Sequence, residues 1–260
     1  MRFPFVSFRL LAGIALAGLL VAPVRAEKTI ALCVEDKEVR PSRLAVGKGL
    51  NYDLLAAVGK RLGLRFEYRA MPWRRCLAEL TGNRVDGAFA ASFRPERREY
   101  GVYPGDGESA DASKRLHLDR YVLIRRKGGP PDWDGQRFSR LEGSIGTQFG
   151  YSVAGDLKAM GIKVDDGAPG NPELQRKLQA GYVSAIAVLE GEAAYLMAHD
   201  ETLRRDFETV ATPLVEKPYF LIFSHRLWKE RKALATSVWD AIEAVRESRD
   251  YKAIEARATR

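Results

Sequence analysis

The feature that most constrains this chain is an alternation of strand and helix patterns that runs once, breaks, and starts again. Residues 28–34 (KTIALCV) read as a buried strand, and residues 52–62 place Leu54, Leu55, Val58 and Leu62 on one helical face, with Gly63 positioned to end the helix. Residues 65–70 carry Phe66, Tyr68 and Ala70 in strand alternation. Pro72 opens a short helix with Cys76, Leu77 and Leu80, which Gly82 and Asn83 stop, and residues 85–91 (VDGAFAA) form a third strand. A β-α-β-α-β order demands a parallel sheet with right-handed crossovers.

After a break over residues 103–120, the pattern restarts. Residues 121–126 (YVLIRR) and 144–147 (SIGT) read as strands, and Gly150 leads into a helix ending at Gly161. A strand at 162–164 follows, then a helix capped by Asn171 and opened by Pro172, a strand at 182–189 (YVSAIAVL) and a helix at 192–198. The remaining strand, 219–223 (YFLIF), and the helices at 228–245 and 251–256 cannot complete the second unit and are expected to return to the first. The expected architecture is α/β with two lobes, 27–120 plus 218–260 and 121–217, joined by a two-segment hinge. In such sheets ligands bind beyond the carboxyl ends of the strands, so function is sought just after each strand.

Residues 1–26 are read as a cleaved signal peptide, for export to the periplasm. Arg2 and Arg9 precede an uncharged apolar run from Leu10 to Val21, and Val24-Arg25-Ala26 supplies a cleavage site. Losing Arg2, Arg9 and Arg25 lowers the formal net charge from +8 to +5, with acidic and basic residues interspersed, so no nucleic-acid stripe is expected. Export puts Cys33 and Cys76 in an oxidising compartment, where a disulfide between them is expected. Two cysteines and three separated histidines offer no metal constellation, and no cofactor is expected. The chain has no G-x-S-x-G, H-E-x-x-H or G-x-x-x-x-G-K-[ST] motif, and His117, His199 and His225, set among charged residues, read as solvated.

Five segments fall where the cleft should be. They contain Glu35 and Asp36 after the first strand, Trp73 after the second, Ser92 and Arg97 after the third, Gly150, Tyr151 and Ser152 at a strand-to-helix turn, and Glu190 after the strand YVSAIAVL. An aromatic plate, a guanidinium that can grip a carboxylate through two parallel bonds, a helix start and a carboxylate suit a small anionic or zwitterionic guest.

The stretch from Met71 to Arg97 (MPWRRCLAELTGNRVDGAFAASFRPER) resembles the bacterial extracellular solute-binding proteins of family 3, the periplasmic receptors of polar amino acid ABC importers. Further matches are Gly49-Leu-Asn-Tyr-Asp53-Leu54 to the family's G-x-x-x-D-L helix start and Asn83-Arg-Val-Asp86-Gly87 to its "gxvDa" strand. Ser92-Phe-Arg-Pro-Glu-Arg97 matches its S-x-T-x-x-R loop, with Arg94 in place of the threonine. The resemblance implies a type II periplasmic binding fold that closes on its ligand, acting as a monomer and handing the solute to a membrane permease. It implies that Arg97 holds an α-carboxylate with Ser92 beside it, that Trp73 stacks on the ligand, and that the Gly150–Ser152 turn closes over the carboxylate. Glu190 stands next to the position of the acidic residue that takes the α-amine, where this chain has Leu189. Ala90 replaces a polar residue of many relatives, and Ser184 replaces the Asp of the second-lobe strand. Two further readings compete: an enzyme on the same scaffold, similar to the periplasmic cyclohexadienyl dehydratases and using Glu35, Asp36 or Glu190 as acid or base, and a sensory domain docking a signalling partner.

Overall fold

The computed structural model describes Met1 and residues 28–258; the signal-peptide reading lies outside the described residues. The first unit is built from strand β1 (Lys28–Glu35), helix α1 (Leu50–Leu62), β2 (Leu64–Met71), α2 (Trp73–Thr81) and β3 (Gly87–Ser92). Strand β1 pairs in parallel with both β2 and β3, as the alternation of elements requires. Helix α1 ends at Gly63, whose φ of 63° is the left-handed conformation that glycine adopts without penalty, after Lys60 and Arg61 in the last turn, where cations favour the helix dipole.

The chain then crosses on β4 (His117–Arg126), forms a small hairpin of β5 (Asp132–Trp133) and β6 (Phe138–Ser139), and builds the second unit. That unit comprises β7 (Ile145–Gln148), α3 (Val153–Ala159), β8 (Val164–Ala168), α4 (Asn171–Gln179), β9 (Ala185–Leu189), α5 (Glu190–His199), α6 (Glu201–Asp206) and β10 (Phe207–Thr209). Strand β11 (Val215–Phe223) returns to the first unit, where α7 (His225–Arg246) and α8 (Arg249–Ala258) cover it. The strand order is β2-β1-β3-β11 in one lobe and β8-β7-β9-β4 in the other, with β10 beside β4. Residues 117–121 of β4 and 215–219 of β11 pair antiparallel, so the two crossing segments form a single ribbon between the lobes.

Each lobe buries apolar side chains on both faces of its sheet. In the first lobe, Ile30, Leu32, Leu54, Val58, Leu221, Trp239 and Ile242 share one cluster, and Cys33, Cys76, Leu80, Ala88 and Phe220 share another. In the second lobe, alternate residues of β4 divide in the same way, Tyr121 and Leu123 to one side and Val122 and Ile124 to the other. Cys33 and Cys76 are joined in a disulfide with 5.4 Å between their Cα atoms, tying α2 to β1.

Several sequence expectations differ from the structure: the strand expected at 182–189 starts only at Ala185, and the one expected at 219–223 starts already at Val215. Strand β4 begins at His117 rather than Tyr121, because its polar first half is held by pairing to β11 and not by an apolar pattern. The strand expected at 162–164 lies at Val164–Ala168, an edge strand rich in Asp and Gly whose pattern carries little periodicity. Asn171 is the first residue of α4 and not its cap; its side chain instead accepts from Gln148 Nε2 and donates to Glu192 Oε2. Among the described residues no helix is long and apolar enough to cross a membrane.

Candidate functional site

The carboxyl ends of β1 and β3 face those of β7 and β9 across a cavity of ≈ 470 Å³, counted out to its mouth, with the β4–β11 ribbon as its floor. Glu35, Ser92 and Leu189 line it as the last residues of β1, β3 and β9, and Tyr151 and Ser152 follow β7. On β4 the residues at alternate positions, His117, Asp119 and Tyr121, all face the cavity, as does Tyr219 from β11. Trp73 is the first residue of α2, so the Cys33–Cys76 bond three residues further along anchors the aromatic wall to β1.

A bulge shapes the corner of the cavity that holds Ser92 and Arg97. Ala90, at φ 64°, is skipped in the β3–β11 register between Ala91 and Phe89. The extra residue sends Ala91 to the side of Ala88 instead of that of Phe89, and re-aims the end of the strand toward the cavity. Ser92 Oγ then meets Ser152 Oγ at 2.8 Å, and the short helix at Pro95–Glu99 brings Arg97 beneath it. Arg97 is 7% exposed. Its Nη1 donates to Ser92 O and Oγ at 3.2 Å, and its Nη2 donates across the cleft to Gly150 O at 2.9 Å. Among the described residues no carboxylate pairs with Arg97. A buried guanidinium satisfied only by neutral oxygens is charged and uncompensated, and an incoming anion would supply what it lacks.

Gly150 has φ 82°, and a Cβ there would meet Arg74 Cγ at 3.0 Å and Trp73 Cδ1 at 3.7 Å. Both the backbone conformation and the close approach of the lobes therefore call for glycine. Ser152 precedes α3 but does not cap it with its side chain; its Oγ instead accepts from Lys217 Nζ at 3.2 Å and takes part in the contact with Ser92. Helix α3 has only seven residues, so the side chains of Tyr151 and Ser152 dominate what the turn presents.

Glu35 is buried and already neutralised. Arg43 Nη2 donates to its Oε2 at 2.8 Å, and Tyr151 Oη donates to the same oxygen at 2.8 Å from the other lobe. Burial and the Glu35 charge together hold the Tyr151 hydroxyl well above its ordinary pKa. Asp36 and Glu190 lie outside the cavity. Asp36 is exposed, and the Glu190 side chain is 54% exposed, its nearest cation being Arg120 at 3.9 Å.

Several cavity residues had no place in the sequence reading: Val39, Ser42, Arg43, Asn51, His117, Asp119, Tyr121 and Tyr219. His117 is not solvated as expected. It is 9% exposed, stacks on Tyr219 with 5.0 Å between centroids, and shares a 2.9 Å hydrogen bond with Asn51 Oδ1. Burial, reinforced by Arg43, pushes its pKa down to about 3, so the ring is neutral. The signal that could have found His117, Asp119 and Tyr121 is their strict alternation, visible only once residues 117–120 are counted as strand.

The lobes also meet around the cavity rim. Arg94, the residue that replaces the threonine, reaches across to Asp156 at 2.5 Å, and Lys217 pairs with the same carboxylate. A Cβ on Gly155 would fall 2.6 Å from Arg94 Cζ, so glycine leaves the guanidinium its path. Arg40 N donates to Glu192 Oε1 at 2.9 Å, and the Arg74 guanidinium lies 4.2 Å from the Phe149 ring centroid. These contacts describe a closed arrangement.

Residues 42–259 match the model of a family described as bacterial extracellular solute-binding proteins, family 3. No curated protein matches the chain by sequence. Among solved structures, the GluR0 ligand-binding core from Nostoc punctiforme in complex with L-glutamate superposes with a TM-score of 0.66 at 16% identity, over 88% of this chain and 98% of that one. The arginine-, lysine-, histidine-binding protein ArtJ from Geobacillus stearothermophilus gives 0.66 at 18% identity, over 88% and 94%. A histidine kinase sensor domain with similarity to periplasmic binding proteins gives 0.68 at 17% identity, over 90% and 97%. At these identities the likeness is one of fold, and the fold is the type II periplasmic binding fold: two α/β lobes on a two-segment hinge.

Proposed function

Because this chain belongs to the bacterial extracellular solute-binding proteins of family 3, we propose that it is a periplasmic receptor. It captures a small carboxylate-bearing solute, an amino acid, between its lobes and delivers it as a monomer to an ABC importer. The lobes in this reading are 27–120 with 218–260 and 121–217, and hinge motion at the β4–β11 ribbon opens and closes them. The observation that carries the reading is Arg97, a buried cation at the cavity wall with no carboxylate of its own and one bond reaching to Gly150 of the opposite lobe. A guest carboxylate that takes over these donors and also accepts from the Ser152 hydroxyl of the opposite lobe contacts both lobes at once and favours the closed state, which is what a ligand must do to shift such an equilibrium. Trp73, Tyr121 and Tyr219 give the cavity aromatic walls for the body of the guest.

A thermal-shift screen of the L-amino acids and small organic acids tests this, since a ligand that binds only the folded protein raises Tm. Calorimetry with the most stabilising acid should then show Arg97→Ala weakening binding by about a hundredfold or more, the scale of a lost charge-assisted pair. Unchanged affinity in that variant would remove Arg97 from the site. A screen with no stabilising acid would contradict the receptor reading itself.

A further inference from the structure

The cavity's charges leave one acidic group as conspicuously alone as Arg97. Glu35 is taken by Arg43, and Asp156, on the rim, is taken by Arg94 and Lys217. Asp119 lines the cavity from the middle of the hinge strand and accepts only the N–H of its own neighbour Arg120, at 2.8 Å. Among the described residues no lysine or arginine side chain pairs with it. The lysine best placed to do so is Lys217, directly opposite in the β4–β11 register, but that ammonium is committed to Asp156 and Ser152.

The surroundings of Asp119 sharpen the contrast. On its own strand it is flanked on the same face by neutral His117 and by Tyr121, with Tyr219 alongside from β11. Burial raises the Asp119 pKa to about 7, and the negative charges of Glu190 and Glu192 from α5 add to it. Beside His117, Asn51, 1% exposed, has an Nδ2 donor with no partner among the described residues. Among the described residues the hinge side thus combines an acceptor without a cation and a donor without an acceptor, while Arg97 lies beside Ser92 at the end of β3. Tyr121 lines the same cavity and feels both charges.

We propose that Asp119, on the hinge strand, receives the ammonium group of the guest, so that the ligand class is a zwitterion held between Asp119 and Arg97. This rests on the receptor reading above. It assigns the cationic contact to the hinge instead of the end of β9, where Leu189 has no charge to offer. A carboxylate that is costly to ionise when the cavity is empty gains its counter-ion only when the correct guest arrives, so an acid lacking the amine leaves that cost uncompensated. The Nδ2 of Asn51 remains for a further acceptor on the guest.

The test uses matched pairs of probes: L-phenylalanine with 3-phenylpropanoate, L-leucine with 4-methylpentanoate, and L-glutamate with glutarate. Each is titrated into the mature wild-type protein and Asp119→Asn, with Asp119→Ser as a second variant in case the first misfolds. On the wild type, the amine-bearing member of a binding pair should bind at least about tenfold tighter than its deaminated partner. Asp119→Asn should abolish that preference by weakening the amino acid about tenfold while leaving the deaminated acid within about twofold. Deaminated acids that bind the wild type equally well and fail on Arg97→Ala would overturn the role of Asp119 and leave the receptor reading standing. Equal loss of both members in Asp119→Asn would do the same. If none of these members binds, the matched pair is built from the most stabilising amino acid of the thermal-shift screen and read in the same way, and a screen that yields none overturns both readings.

Discussion

The two lobes share one topology and contribute unlike chemistry. The first supplies long, charged or aromatic side chains, Arg97, Glu35, Arg43 and Trp73, from a platform stapled by the only disulfide among the described residues. The second supplies small or neutral pieces, namely the carbonyl of Gly150, the hydroxyls of Tyr151 and Ser152, and Leu189 at the end of β9. Strand order places the residues after each strand at the cleft in both lobes, yet it does not decide which of them carry charge. One lobe is equipped to grip and the other to cover, and the hinge strands between them provide the remaining charged group, Asp119.

That comparison can be broken by weakening the gripping lobe. The Cys33–Cys76 bond closes a loop of 43 positions, so Cys33→Ser with Cys76→Ser should destabilise the protein by about 4 kcal/mol on the chain-entropy estimate. Because the bond anchors α2, ligand affinity should fall with it. A denaturant midpoint unchanged by the double substitution would mean that α2 is held by packing alone.

The hinge contributes a pH dependence of the next size. Burial lifts the folded-state pKa of Asp119 to about 7, above the ordinary carboxylate value of about 3.9 in the unfolded chain. Between those values the native state binds more protons, so this group's contribution to stability falls as pH rises from about 4 to 7, and the penalty is full above that. Asp119→Asn should therefore raise Tm at pH 8, by on the order of 2 kcal/mol in stability, and leave it nearly unchanged at pH 4. A wild-type-minus-variant difference that does not vary with pH would contradict the burial of an unpaired carboxylate at the hinge.

The smallest effect belongs to the joint between the lobes. Arg94→Thr removes one of two cations on Asp156 while Lys217 keeps the carboxylate paired. The cost should be about 1 kcal/mol of closed-state stability, a few-fold in ligand affinity. Scattering or a fluorescence distance pair across the cleft should report a larger open fraction without ligand. An unchanged open fraction would make Arg94 a surface residue with no part in closure.

Much of this was legible in the sequence, for a physical reason in each case. Apolar periodicity and Gly or Pro punctuation mark β1, α1, β2, α2, β7 and β9, because a buried face must repeat with the period of its element. Ser92, Arg97, Trp73, Gly150, Tyr151 and Ser152 could be placed near one another because each follows a strand whose carboxyl end meets the cleft. The hinge was not legible. Residues 117–120 (HLDR) carry no apolar alternation, since one face of that stretch meets the cavity instead of a core, and only pairing with β11 makes them strand. His117 consequently looked solvated, and nothing singled out Asp119. Arg43 was hidden differently: it lies in an irregular loop, and its buried charge is met by Glu35, 8 positions away, a carboxylate that also accepts from Tyr151, 108 positions from Arg43. The Ala90 bulge was equally invisible, because a single skipped residue leaves the apolar run GAFAAS unaltered.

The central claim is best tested by a crystal structure of the protein with the amino acid that raises its Tm most. The account predicts that acid enclosed between the lobes, its carboxylate within hydrogen-bonding distance of both the Arg97 guanidinium and the Gly150–Ser152 turn. An acid bound elsewhere, with Arg97 still donating to Gly150 O beside an empty cleft, would contradict it.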